Sequence, residues 1–411
     1  MRITSIECHP ITLEFHDWLA DGLLHFHGSS GLKRCVFIVH TDVGLEGVGE
    51  GGFVPEDVRE KYIGTDPFDW IGDDTSLFIG KAMYDLMGKH AGVPAWKLFG
   101  RKVRNWVPIG SWTVSQSPTV MAESVRRFAK MGYTWMKYHV SSVQNVIEQT
   151  RAMQGAAPPG FKIQYDFNGG GTNDDTVSVI RELAKFPIAG AVEDPIDQRD
   201  LEGYRLLREQ SPLPILIHGT AFDLMTELRA EAADGYGNGG YTIGNHIQRA
   251  AWLAGFKRPF WIQNGGGTLT LSFIAQMSCT FPTATLAHYT DGLVWKSDVV
   301  RQRLEIINGY VKVPDEPGLG VTLDRDELER LKGLPMPTCD PFIVQCRYPD
   351  GRTLSFIHDP EEQRNFLCMP DLAVMPQRGY ADQVETSYMD DDGTEEYRAM
   401  FHRCKDGPVF E

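Results

Sequence analysis

The chain has 411 residues, with Lys+Arg 40, Asp+Glu 55, a formal net charge of −15, 42% hydrophobic residues and 23% charged residues. That length suits about two to three domains of roughly 100–200 residues each, and the balance excludes a disordered, collagenous or small disulfide-stapled chain. A negative surplus repels phosphate backbones and anionic lipids, so nucleic acid and membrane surfaces are not expected partners; an acidic small molecule remains compatible, because a local site can reverse the field.

The opening segment, MRITSIECHPITLEF, alternates apolar and polar residues and has no apolar core region. It is read as a first strand and not as a signal peptide. No stretch reaches the roughly 18 uncharged apolar residues that span a bilayer. The cysteines Cys8, Cys35, Cys279, Cys339, Cys346, Cys368 and Cys404 are odd in number and widely spaced, without CxxC. A reducing cytoplasm is the expected compartment.

Residues 1–106 read as an α+β unit. Strands are predicted over 2–14 and Arg34–Thr41, and Asp42–Val43–Gly44 turns the chain into Leu45–Glu50. Apolar residues at helical spacing follow over Ser76–Gly88. Between them lies His16–Gly31, read as a long aromatic, histidine-rich loop.

From residue 107 the pattern becomes periodic. Short apolar runs begin at Val107, Trp135, Phe161, Ile188, Pro214, Ala233, Pro259 and Thr283, about 19 to 28 residues apart, with helical patterns between most of them. Strand–helix alternation at a near-constant period predicts an α/β fold, a (β/α) barrel of the modified TIM type, over 107–335. Residues 336–411 contain two strand-like pieces, an acidic run and a predicted helix over Glu395–Arg403 with Thr394 as N-cap. This is expected to be a C-terminal extension packed on the barrel or on a neighbouring subunit. Its cysteines fit no zinc spacing and are read as free thiols.

In such a barrel, catalytic groups sit at the C-terminal strand ends. Those ends are Lys137–Tyr138–His139, Asp166–Phe167–Asn168 and Glu193–Asp194–Pro195. Period-two alternation puts Lys137 and His139 on one face, and likewise Asp166 and Asn168. Asp166 and Glu193 lie one barrel repeat apart, so they are expected side by side. Two rim carboxylates suit a hard cation such as Mg²⁺.

These residues carry a resemblance. HTDVGLEGVGEGG (40–52), IGKAMYDLMGKHAGVPAWKLFG (79–100), MGYTWMKYHV (131–140), YDFNGG (165–170), VEDPI (192–196) and VKVPDEPGLGV (311–321) together resemble the enolase superfamily, nearest its mandelate racemase and muconate lactonizing branch, over roughly 1–330. The resemblance implies an N-terminal capping domain over the barrel mouth and a homo-oligomer. It implies removal of the proton alpha to a carboxylate, with a metal that stabilises the enediolate, in a lyase or isomerase. The expected substrate is a small carboxylic acid, a hydroxy acid or sugar acid that is dehydrated or racemised.

Carried over by position, Asp166 and Glu193 are the metal ligands, Lys137 is a base, and His139 stands where the family often has a second Lys. A lysine acts as a base only if its pKa is lowered. Several positions depart from the pattern. The third acid, five residues after Pro214, is Gly219; the adjacent His218 is the substitute ligand, although strict alternation turns it away. The strand-seven histidine is replaced near Gln263–Asn264, strand eight ends in His288, and Asp234 of strand six lacks its partner. The set favours Mg²⁺ by its carboxylates, and Mn²⁺ or Zn²⁺ if an imidazole joins. His288 is a candidate to assist the leaving hydroxyl; Asn168, Trp18, His25, His27 and Asn264 are candidates for substrate contact. Two other readings stay open: a catalytically inert binding or scaffold relative, and a metal-free acid–base enzyme using His139, His218 and His288.

Overall fold

The computed structural model describes residues 1–141, 144–171, 173–362 and 385–411. Strands β1 (Ile3–Thr12), β2 (Lys33–Thr41) and β3 (Glu46–Gly51) form an antiparallel meander in sheet order β1-β2-β3. Between β1 and β2 the segment expected as a loop is a helix, α1 (Asp17–His27), followed by a short 3₁₀ turn over Gly28–Leu32. Leu19, Leu23 and Phe26 lie one turn apart and are fully buried, so tertiary packing holds a helix that its uncapped N-terminus alone would not specify. After a short α2 (Glu56–Glu60), α3 (Leu77–Ala91) lies directly on β3. Gly47 permits this approach: a Cβ there would stand 2.2 Å from the Ala82 carbonyl oxygen.

The barrel begins later than the sequence suggested. Residues of β4 (Trp106–Pro108) leave for a small antiparallel sheet, and β5 (Ser111–Val114) is the first barrel strand. It is followed by α4 (Pro118–Lys130), β6 (Trp135–His139), α5 (Val146–Ala156), β7 (Lys162–Asp166), α6 (Asn173–Leu183), β8 (Ala189–Glu193), α7 (Leu201–Gln210), β9 (Ile215–Ile217), α8 (Leu224–Arg229), β10 (Gly235–Gly239), α9 (Ile243–Gly255), β11 (Phe260–Gln263) and α10 (Thr268–Ser278). The seven strands are parallel, in order β11-β10-β9-β8-β7-β6-β5. The eighth expected strand, from Thr283, is reduced to two parallel bridges, Gln263↔Tyr289 and Ile109↔His288, which close the cylinder. Strand six is β10, so Asp234 precedes it at the end away from the mouth, where Arg208 Nε donates to it at 2.7 Å.

Strand β12 (Ile306–Ile307) pairs with β13 (Tyr310–Lys312), which pairs with β4, and α11 (Arg325–Lys332) returns against β1. The C-terminal residues form an antiparallel sheet in order β16-β14-β15-β17 from β14 (Phe342–Arg347), β15 (Thr353–His358), β16 (Glu385–Met389) and β17 (Val409–Phe410). Helix α12 (Glu395–Cys404) packs on β15, and Thr394 Oγ1 accepts the Tyr397 N–H as its N-cap. Cys346 and Cys404 are buried and Cys339 is half-buried, while Cys368 lies outside the described residues.

One apolar core runs from the meander through α3 and α10 into the barrel helices. Inside the cylinder, Ala191, Leu216, Trp261 and Tyr289 form a separate plug, on which the polar mouth rests.

Candidate active site

Strand register builds the site. His139 pairs with Asp166, and Asp166 with Glu193, so three polar side chains stand side by side at the strand ends. One layer below, Lys137 pairs with Gln164. Lys137 Nζ reaches up between the acids, 2.8 Å from Asp166 Oδ2 and 2.7 Å from Glu193 Oε1, and donates to Gln263 Oε1 at 3.1 Å. All three charged groups are at most 2% exposed.

The other oxygens are held as well. Gln164 Nε2 donates to Glu193 Oε2 at 2.6 Å, and the Tyr289 hydroxyl donates to Gln164 Oε1 at 3.1 Å. Asn168, with φ 50, turns its own N–H onto Asp166 Oδ1 at 2.9 Å. Gln164 and Tyr289 were not legible as site residues, because neither carries a charge or belongs to a motif.

Asp194 is the larger omission. It is buried, in a left-handed conformation with φ 42, and Oδ1 accepts the His218 N–H at 2.9 Å. Ligand atoms of Asp166, Glu193 and Asp194 all lie within 4.8 Å of one another. Burial raises the Asp194 carboxyl well above the usual range, and the neighbouring charges of Asp166 and Glu193 add to it. Three buried acids thus face one ammonium.

His218 is the exception to the alternation argument. Strand β9 ends at Ile217, so nothing constrains the next side chain to the outer face. Its Nδ1 lies 3.3 Å from Glu193 Oε1, and its ring rests over Gly237 and Gly239, where a Cβ would come within 2.5 Å and 2.4 Å of the imidazole. Gly219, where the third acid was expected, has open space: the nearest atom to a Cβ is Gln198 Nε2 at 4.0 Å.

The titration states differ from the expectation for Lys137. Burial opposes its charge, but Asp166 and Glu193 outweigh that and raise it above the ordinary lysine range, which favours the ammonium over the free amine. Glu193 moves down: burial pushes it up, and Lys137 and His218 outweigh burial. His139 lies 3.4 Å (Nε2) from Asp166 Oδ2; burial lowers it to about 4, helped by Lys137 against the pull of Asp166, so its ring is neutral at pH 7.

Above this layer is a cavity of about 270 Å³ between α1, the meander and the mouth. Its polar lining includes Lys137, His139, Gln263, His27, Ser30 and Arg34, the last ion-paired with Asp291. Phe15, Trp112, Tyr289, Val294 and Trp295 supply the apolar walls. Arg34 was read only as the start of a strand.

Other expected contacts lie elsewhere. Trp18 packs edge-on against Phe128 of α4, with Arg127 over its ring. His25 points to the C-terminal sheet, against Tyr388 and Phe342. His288 is fully buried behind the strands; its Nδ1 accepts the Ile262 N–H at 2.7 Å, and burial lowers it to about 3. It does not line the cavity and is not placed to assist a leaving hydroxyl. Asn264 lines a second, more open cavity of about 560 Å³ that shares Arg34 and Gln263 with the first.

The family model described as enolase C-terminal domain-like matches residues 120–327, half of the chain. The chain belongs to the enolase superfamily. An arabinonate dehydratase of Saccharolobus solfataricus is 26% identical over 267 residues, covering 62% of this chain and 71% of the relative. An N-succinyl-L-Arg/Lys racemase of Bacillus cereus is 23% identical over 369 residues, 80% of this chain and 98% of that one. A dipeptide epimerase of Cytophaga hutchinsonii, solved with Mg and the dipeptide D-Ala-L-Val, superposes with a TM-score of 0.66 at 21% identity, over 80% of this chain and 98% of that one. The fold of this superfamily, a capping domain on a modified TIM barrel, is therefore the fold of this chain. No helix among the described residues is long and apolar enough to cross a membrane.

Proposed function

We propose that the cavity takes a small carboxylic acid, a hydroxy acid or sugar acid, and that the chain removes the proton alpha to its carboxylate, leading to dehydration or racemisation. One observation carries this reading: three buried acids converge directly behind Lys137 and His139, which line the cavity together with Arg34.

The acid surplus fits a divalent cation. Three buried acids face one ammonium, and burial first, then the charges of Asp166 and Glu193, raise the Asp194 carboxyl. Asp166 and Glu193 would hold Mg²⁺, with Asp194 and the His218 imidazole at hand; the imidazole also admits Mn²⁺ or Zn²⁺. When bound, the cation supplies Lewis-acid charge where negative charge grows on the substrate carboxylate.

The chain does the rest. Lys137 and Arg34 line the cavity as cations and orient the carboxylate. The neutral His139 ring accepts the proton, and Asp166 Oδ2, 3.4 Å from Nε2, steadies the imidazolium that forms. Trp112, Tyr289 and Trp295 exclude water, which strengthens each of these interactions.

A metal-free form of the same chemistry is favoured by one observation. The Lys137 ammonium already bridges Asp166 and Glu193, so it can supply the positive charge itself. Incubation with a panel of 2-hydroxy acids in heavy water tests the proposal, with the alpha-proton signal followed by NMR. Loss of that signal is expected with at least one acid, and sensitivity to chelator separates the two forms. A panel that keeps every alpha proton, with and without Mg²⁺, would sink both.

A further inference from the structure

The wall of the cavity that is not barrel comes from one short segment. His27, Ser30 and Gly31, at the end of α1 and in the turn after it, line the cavity. That segment is tied to residues more than 300 positions later. Glu361 accepts two hydrogen bonds from Ser29, from the backbone N–H at 2.8 Å and from Oγ at 2.8 Å, and Ser29 is 3% exposed. Two residues before the cavity wall, His25 Nε2 meets Asp390 Oδ1 at 3.2 Å. The His25 ring lies flat on Tyr388 at 4.9 Å and edge-on to Phe342 at 4.3 Å. At Gly28, φ is +58 and a Cβ would stand 2.6 Å from the Pro360 carbonyl oxygen, so the two segments approach backbone to backbone.

These ties come from just beyond the ends of two strands of the C-terminal sheet, β15 and β16, and grip the segment on either side of the His27 wall residue. A charge-assisted bidentate bond to a buried serine and a sandwiched imidazole each fix orientation, and together they remove the hinge freedom of a five-residue turn. We infer that the C-terminal extension is a clamp that holds the α1 segment closed over the cavity, with Glu361 and Asp390 as positioning residues for the wall formed by His27, Ser30 and Gly31. The inference rests on the cavity being the substrate site. In this arrangement the cover is held shut by another part of the same chain, and substrate affinity depends on residues that never touch substrate.

The test uses the full chain and two readouts. Hydrogen–deuterium exchange is measured for Glu361→Ala and for Ser29→Ala, which keeps the backbone bond. In Glu361→Ala the amides of 27–31 are expected to exchange roughly tenfold faster, with strands 135–139 and 162–166 unchanged, because local opening is a separate equilibrium from global unfolding. Ser29→Ala is expected to give a smaller rise in the same amides. The second readout is alpha-proton exchange with the acid that reacts best in wild type: KM should rise several-fold in Glu361→Ala while kcat stays within about twofold. Glu361→Gln, which keeps one acceptor, should restore part of both effects. Unchanged exchange at 27–31, an equal rise throughout the chain, or a loosened segment with unchanged KM would each overturn the inference. If wild type moves no alpha proton at all, the functional reading falls, and the amide data still decide whether the clamp exists.

Discussion

Lys137 Nζ and Glu193 Oε1 stand 2.7 Å apart in the barrel mouth, with Asp166 Oδ2 2.8 Å from the same nitrogen. The pair is buried, so removing one partner leaves unsolvated charge. Lys137→Met keeps most of the stem volume and removes the ammonium. It is expected to cost about 3–5 kcal/mol of stability, the range for breaking a buried pair. Urea unfolding in the presence of chelator measures this. Wild-type stability in the variant would mean that the acids are compensated from elsewhere.

Gly219 offers a gain of function. It stands where the resemblance leads one to expect a third acid, and a side chain there meets nothing nearer than 4.0 Å. Gly219→Asp adds a carboxylate to the three buried acids already at the site. Mg²⁺ affinity should rise roughly tenfold, about 1.4 kcal/mol. Calorimetric titration decides the matter, and an unchanged Kd would show that residue 219 does not face the cation.

His139→Asn removes the base while retaining a polar side chain of similar size. General-base catalysis contributes about 10²–10⁴ in rate, so alpha-proton exchange should fall by at least 10² while the circular dichroism spectrum is unchanged. Exchange at the wild-type rate would assign the base elsewhere.

His25 gives a pH signature. Burial works against its charge, but bonds to Asp21 and Asp390 overcome that and raise it to about 9, from an ordinary value of 6.5. A base with a raised folded-state pKa contributes stability that is full below its unfolded value and is lost as pH rises through the folded value. Wild-type melting temperature should therefore fall between pH 7 and 10 more steeply than that of His25→Gln. Parallel curves would show that the imidazolium is not part of the clamp.

The strand ends were readable because each carries its own chemistry: Lys137, His139, Asp166 and Glu193 fall at one-repeat spacing, and register then sets them side by side. What stayed hidden depended on geometry that spacing does not encode. Asp194 points back into the site because its backbone is left-handed. His218 enters the mouth because β9 stops one residue earlier and β10 offers bare glycines. Helix α1 was read as a loop because its polar residues mask Leu19, Leu23 and Phe26, whose burial depends on the tertiary fold. Trp18 and His25 are expected at the cavity because the resemblance puts the capping domain over the barrel mouth, whereas a helix shares its side chains among faces, and of α1 only His27 at its end lines the cavity.

The account turns on whether the convergent carboxylates seat a divalent ion. Isothermal titration of the full chain with MgCl₂, after chelator treatment, asks this without needing a substrate. The account predicts one ion bound per chain, and no measurable binding in Glu193→Gln with its circular dichroism spectrum intact. Equal binding by wild type and Glu193→Gln, or no heat from wild type at millimolar Mg²⁺, would contradict it.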